Sequence, residues 1–300
     1  MIGRFLALGA RQRAILLMIV TIACFASMDA IAKTLAQRYP TLEVVWARYT
    51  SQTVVALLML APRLRELLRT RFLGLQLVRS AFLFGATVFF FFGIVLVGLA
   101  QATAIMNANP LIITLLAALL LGERVGPRRW LSVAAGFAGA LIIIRPGSAV
   151  FSPEALLPLG AAFCYAGYAL STRFLGREEN PWTSFLYTAM IGTLAATLIL
   201  PFVWVPPRPA DLPLMLGIGV IGGAGHYLLI RALMLAEASV IAPFSYVGLL
   251  FAALYGWTLF GEVPDLPTVA GAVVIVGAGL YLWHRERAVR RAQAAAGSGA

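Results

Sequence analysis

"CFASMDAIAK" at 24–33 and "CYAGYALSTR" at 164–173 are two versions of one phrase. Aligning them sets Cys24 on Cys164, Phe25 on Tyr165 and Lys33 on Arg173, an offset of 140 residues. Further along each half, "LLLGE" at 119–123 aligns with "TLFGE" at 258–262 and sets Glu123 on Glu262 at an offset of 139. A polar, proline-bearing string also recurs, as "LAQATAIMNANP" at 99–110 and "LAEASVIAPFSY" at 235–246. A period this long, kept from end to end, means that one structural half is written twice.

The surroundings of these phrases are strongly apolar. Hydrophobic residues make up 61% of the 300 and charged ones 12%, well beyond the balance of a soluble domain. Crossing a bilayer core takes about 20 mainly apolar residues. Runs of that kind, bounded by charge, Pro or polar turns, fall near 14–36, 41–61, 73–97, 100–121, 128–145, 155–175, 182–204, 212–235, 238–260 and 267–284. The expected architecture is therefore an all-α multi-pass membrane protein with ten spans. Its halves are a first repeat at 14–145 and a second at 155–284, followed by a polar tail at 285–300 that reads as disordered.

The net charge of +11 lies in short clusters between apolar runs. It is a topology signal, not a nucleic-acid surface. Loops alternating between the two faces put fifteen arginines on one side and three, Arg38, Arg145 and Arg208, on the other. Basic residues collect on cytoplasmic loops, so both termini are expected in the cytoplasm. The first span is longer than a signal-peptide core and reads as retained. Cys24 and Cys164 fall inside spans and read as packing residues.

Five spans per half is an odd number, so the halves enter the membrane from opposite sides. They are then related by a pseudo-twofold axis in the membrane plane, an arrangement found in transporters. With two five-span repeats, the paired Gly122-Glu123 and Gly261-Glu262, and the string "YLLIRALMLAEASVIAPFSYVGLLFAALYGWTLFGE", the chain resembles the drug/metabolite transporter superfamily, specifically its EamA-type members. The resemblance covers roughly 14–284. It implies an inner-membrane carrier that alternates a central cavity between the two faces. The implied cargo is a small organic metabolite, such as an amino acid, a vitamin like riboflavin or a metallophore. No cofactor is implied.

Polar residues inside the spans are the candidate site. Pro110 and Pro243 lack an N–H, so each frees a carbonyl one turn back, which is tolerated where protein or a water-lined cavity satisfies it. Asn107 and Asn109 flank the first interruption, and Ser245 and Tyr246 the second; they line a cavity or bond neighbouring helices. Asp29 and Arg48 lie at matched depth, about 10–12 Å below the same membrane face at about 1.5 Å per residue. They pair with each other, or Asp29 pairs with Lys33 one turn on. Arg48 then waits for an anionic group on the cargo, and Asp29 is the candidate proton carrier. His226 is the histidine in the interior of a span, His284 falling at the end of the last one, and it binds cargo, moves a proton or is simply hydrogen-bonded. Tyr165 and Tyr168 share a helix face and stack on a flat cargo or pack. Arg79 and Arg231 read as snorkelling to the cytoplasmic interface, and Glu123 and Glu262 as organising turns.

Other functions fit less well. No phosphate loop of the G-x-x-x-x-G-K-[ST] type is present, which excludes that route to ATP-driven pumping. An intramembrane enzyme would need H-E-x-x-H or paired deep carboxylates, whereas the two histidines, His226 and His284, are 58 residues apart and Asp29 stands alone. A metal site is not expected. A channel would need a carbonyl filter or a ring of like charges. The remaining reading is secondary transport, with the lipid bilayer as solvent and no nucleic-acid partner.

Overall fold

The computed structural model describes residues 9–122, 126–148, 152–175, 179–236 and 238–297. Among the described residues, ten helices are long and apolar enough to cross a membrane. They are α1 (Ala10–Ala36), α2 (Thr41–Leu60), α3 (Leu73–Leu96), α4a and α4b (Leu99–Met106 and Asn109–Leu121), α5 (Pro127–Ile144), α6 (Leu156–Leu175), α7 (Pro181–Ile199), α8 (Leu212–Leu235), α9a and α9b (Ala238–Ile241 and Val247–Phe260), and α10 (Leu266–Gly297). The fourth and ninth spans are each interrupted. The structure is all-α among the described residues.

The starts and stops follow local chemistry. The Asn180 side chain caps α7 by accepting the Trp182 N–H at 3.0 Å, and Pro181 follows where no N–H is needed. Gly122 and Gly261 end α4b and α9b in the left-handed region, with φ of 64° and 67°. A side chain would strain that turn, which explains why both halves place glycine there before glutamate. At the first interruption, Pro110 has no N–H and the chain tightens. Ala108 N–H reaches back only to Ile105 O, at 3.0 Å, and Leu111 N–H to Ala108 O, at 3.0 Å. The second interruption takes up a 3-10 turn over Ala242–Tyr246 that contains Pro243.

Packing repeats the sequence symmetry. α1 packs on α8 as α6 packs on α3, while α2 with α7 and α5 with α10 pair equivalent helices of the two halves. Thr53 on α2 and Thr193 on α7, 140 residues apart, share a hydrogen bond of 2.7 Å. Large apolar side chains such as Leu58, Leu120, Leu198 and Leu250 stay exposed, the pattern of a surface whose solvent is lipid.

α10 runs past the last span to Gly297. The segment "RERAVRRAQAAA" is made almost wholly of good helix formers, so a helix already nucleated in the membrane propagates through it.

Candidate functional site

Two guanidinium groups lie deep inside the helix bundle. Arg48 on α2 is 4% exposed. Its Nε–H points to Met28 Sδ at 3.2 Å and an Nη1–H donates to Thr87 Oγ1 at 2.9 Å. The group lies over the Tyr49 and Phe91 rings, 4.7 and 5.8 Å from their centroids. Gly219 on α8 lets that helix close on α2 beside Arg48, since a Cβ there would stand 2.7 Å from Arg48 O. The remaining N–H groups of Arg48 find no acceptor among the described residues.

Arg79 on α3 is 5% exposed and does not snorkel, contrary to the expectation from its position near a helix end. It donates to Thr172 Oγ1 at 2.7 Å, Ser184 O at 2.9 Å, Thr188 Oγ1 at 2.6 Å and Tyr168 Oη at 2.8 Å. These acceptors come from α6 and α7. All four are neutral, so they satisfy the guanidinium geometry without cancelling its charge.

Asp29 on α1 is half-buried and Arg48 is the cation that acts on it, through space and without a hydrogen bond. Lys33, the local alternative, turns elsewhere: its ammonium bonds Glu262. His226 on α8 is held by Gly222 O through Nδ1 at 3.0 Å and lies edge-on to Phe25, with centroids 4.9 Å apart. Both Arg48 and Arg79 act on it electrostatically. Tyr165 and Tyr168 lie against each other, centroids 5.4 Å apart and planes at 50°. Arg79, Tyr168 and Tyr165 are thus in direct contact across α3 and α6.

The interruption residues divide. Asn107 turns back on its own helix and donates Nδ2–H to Thr103 O at 2.8 Å. Asn109 Oδ1 is buried and has no hydrogen-bond partner. Tyr246 reaches α10, where a Cβ on Gly279 would collide with its hydroxyl. Ser245 is half-buried in the 3-10 turn. Glu123 lies outside the described residues.

The Lys33 end of the molecule is tied by charge, which sequence patterns did not reveal. Glu262 accepts from Lys33 and, through its other oxygen, from the Leu99 N–H at 3.1 Å. That joins α1, the start of α4a and the end of α9b. Beside it Asp211 bonds Arg38 and accepts from Tyr39 Oη at 2.8 Å, and the Tyr39 hydroxyl accepts the Arg208 N–H at 2.9 Å. Arg145 bonds Asp265 across α5 and α10. The interrupted helices meet at this end, α4a on α9b; toward the opposite end α4b packs on α5 and α6, and α9a on α1 and α8. Among the described residues no cluster of three His, Cys, Asp or Glu side chains could hold a metal ion.

Helices broken at mid-membrane, a repeat across a pseudo-twofold axis and polar side chains converging between them define a membrane transporter. The EamA-like transporter family matches residues 12–145 and 152–283, and the chain belongs to it. It is 30% identical over 273 residues to the riboflavin transporter of Vibrio cholerae, covering 89% of this chain and 92% of that one. To the pseudopaline exporter CntI of Pseudomonas aeruginosa it is 31% identical over 282 residues, covering 91% and 96%. To the S-adenosylmethionine uptake transporter of Rickettsia prowazekii it is 26% identical over 259 residues, covering 86% and 88%. One solved crystal structure shares the fold, with a TM-score of 0.60 at 22% identity over 93% of this chain and 99% of that one.

Proposed function

We propose that this chain is a secondary carrier that moves a carboxylate-bearing organic metabolite across a bacterial inner membrane by alternating access, with both termini in the cytoplasm. The observation that carries this reading is the unequal packing of the two interrupted helices. They meet at the Lys33 end and take different neighbours toward the other. With the basic loops cytoplasmic, the Lys33 end faces outward, so this arrangement is closed outside and exposes the cavity to the cytoplasm. Opening would exchange the two ends about the pseudo-twofold axis.

Within the cavity Arg48 anchors the carboxylate of cargo that enters from the Lys33 end. When cargo takes Arg48, Asp29 loses its cation and takes a proton, which couples transport to the proton gradient. Asn109, with an unused buried carbonyl, offers cargo a hydrogen-bond acceptor beside the interruption. Relatives named for riboflavin, S-adenosylmethionine and pseudopaline support a small-molecule cargo and a carrier role over an enzyme or a channel.

The test is flux in proteoliposomes. A ligand found by thermal-shift screening of metabolites should enter with saturation and counterflow. Arg48→Gln should abolish its uptake, and Asp29→Asn should retain binding but lose the response to a proton gradient. Non-saturating flux would replace the carrier with a channel.

A further inference from the structure

Arg79, from α3 of the first half, fills the place in the second half that matches that of Arg48. Arg48 lies on α2 against Met28 of α1. The repeat offset of 140 carries Met28 to Tyr168 and Arg48 to Thr188. Those two residues hold Arg79, through the Tyr168 hydroxyl at 2.8 Å and the Thr188 hydroxyl at 2.6 Å. The guanidinium also lies over the Tyr168 ring, 4.5 Å from its centroid. The second half therefore has no arginine at the position of Arg48, and α3 of the first half supplies one in its place.

Depth follows the same symmetry. Arg48 is seven residues from the start of α2 at the Lys33 end, and Arg79 is six residues from the start of α3 at the opposite end. Each is about 10 Å inside its own face at about 1.5 Å per residue. A cation so deep is costly without a counter-charge, yet the hydrogen-bond acceptors around Arg79 are neutral. Beside it the Tyr168 ring packs on Tyr165, with centroids 5.4 Å apart.

We propose that Arg79 is a second anion site, the inward-facing counterpart of Arg48: the cargo carboxylate rests on Arg48 when the Lys33 end is open and on Arg79 when the opposite end is open. This rests on the carrier reading above and adds the residue that receives the anion on the cytoplasmic side. Two cations of similar depth, one for each access state, let a carboxylate cross without passing through a site of bare hydrocarbon. Tyr165 and Tyr168 beside the second site favour an organic acid with a flat, apolar body.

The test uses matched acid and amide probes on the purified full chain: benzoate with benzamide, and tryptophan with tryptophanamide. In wild type at least one acid should raise the melting temperature where its amide does not. Arg79→Gln should weaken the half-saturating concentration of that acid at least tenfold, and Arg79→Lys should keep the acid preference because the charge remains. Tyr168→Phe, which removes one neutral acceptor and leaves the cation, should bind the acid at least as tightly as wild type. Arg48→Gln should keep the shift, since the resting state presents Arg79, while losing uptake. Equal shifts for acids and amides in wild type, an unchanged acid preference in Arg79→Gln, or loss of preference in both Arg79→Lys and Tyr168→Phe would overturn the proposal and leave Arg79 a strut between α3, α6 and α7. Saturable proteoliposome flux in those same cases would keep the carrier reading, whereas its absence would remove that reading independently.

Discussion

Thr53 and Thr193 share one hydrogen bond across α2 and α7 at 2.7 Å, and the 140 residues between them equal the offset of the repeat. Equivalent residues can touch only on the axis that relates their halves, so this contact marks the pseudo-twofold axis. A side-chain hydrogen bond between membrane helices contributes about 0.6 kcal/mol on average. Thr53→Val and Thr193→Val should each cost about that much, and the double variant should cost less than the two combined. Equilibrium unfolding in mixed detergent measures the coupling, and strict additivity would mean that the hydroxyls act separately.

Lys33, the chain's one lysine, is buried against Glu262. Removing one partner of such a pair leaves an uncompensated charge. Glu262→Gln should therefore destabilise by about 3 kcal/mol, the low end for buried pairs because Glu262 is partly exposed. Lys33→Met combined with Glu262→Gln should recover much of that loss. The single variant should also raise labelling of a cysteine placed at Leu99 by an impermeant maleimide added from outside. Unchanged labelling would separate this contact from closure of the Lys33 end.

Asn109 Oδ1 is buried without a partner, so Asn109→Leu removes no internal hydrogen bond. Its melting temperature should equal or exceed that of wild type while transport falls at least tenfold. Loss of folded protein in parallel with transport would instead place Asn109 among packing residues.

Asp265 lies between two spans, where hydrogen bonding from Thr268, and then from Arg145, holds its carboxyl below the ordinary value of 3.8. A lowered folded-state pKa stabilises above the unfolded value and is lost as pH falls through the folded one. The stability difference between wild type and Asp265→Asn should be flat from neutral pH down to about pH 4 and shrink below it. A difference that grows on acidification would contradict this sign.

Both termini should report as cytoplasmic in fusion assays, and cysteines introduced at Arg38 and Arg208 should label from outside. Opposite sidedness of the two ends would remove the inverted repeat.

The ten spans, the duplicated halves and the family were legible in sequence because each rests on a local quantity. Hydropathy over about 20 residues marks a span, a repeated phrase marks a half, and Gly-Glu with φ near +65° at the glycine ends a helix in each. That Arg48 is a polar group inside a span was also readable, since a polar residue in an apolar run is conspicuous. What such a residue touches was not. Lys33 had Asp29 one turn away and chose Glu262, 229 residues on. Arg79, near a helix end, looked free to reach the interface and is instead enclosed by α6 and α7. Partner choice in a low-dielectric interior depends on which helices pack side by side, and only the tertiary structure brings α3 against α6 and α7, or the end of α9b against α1.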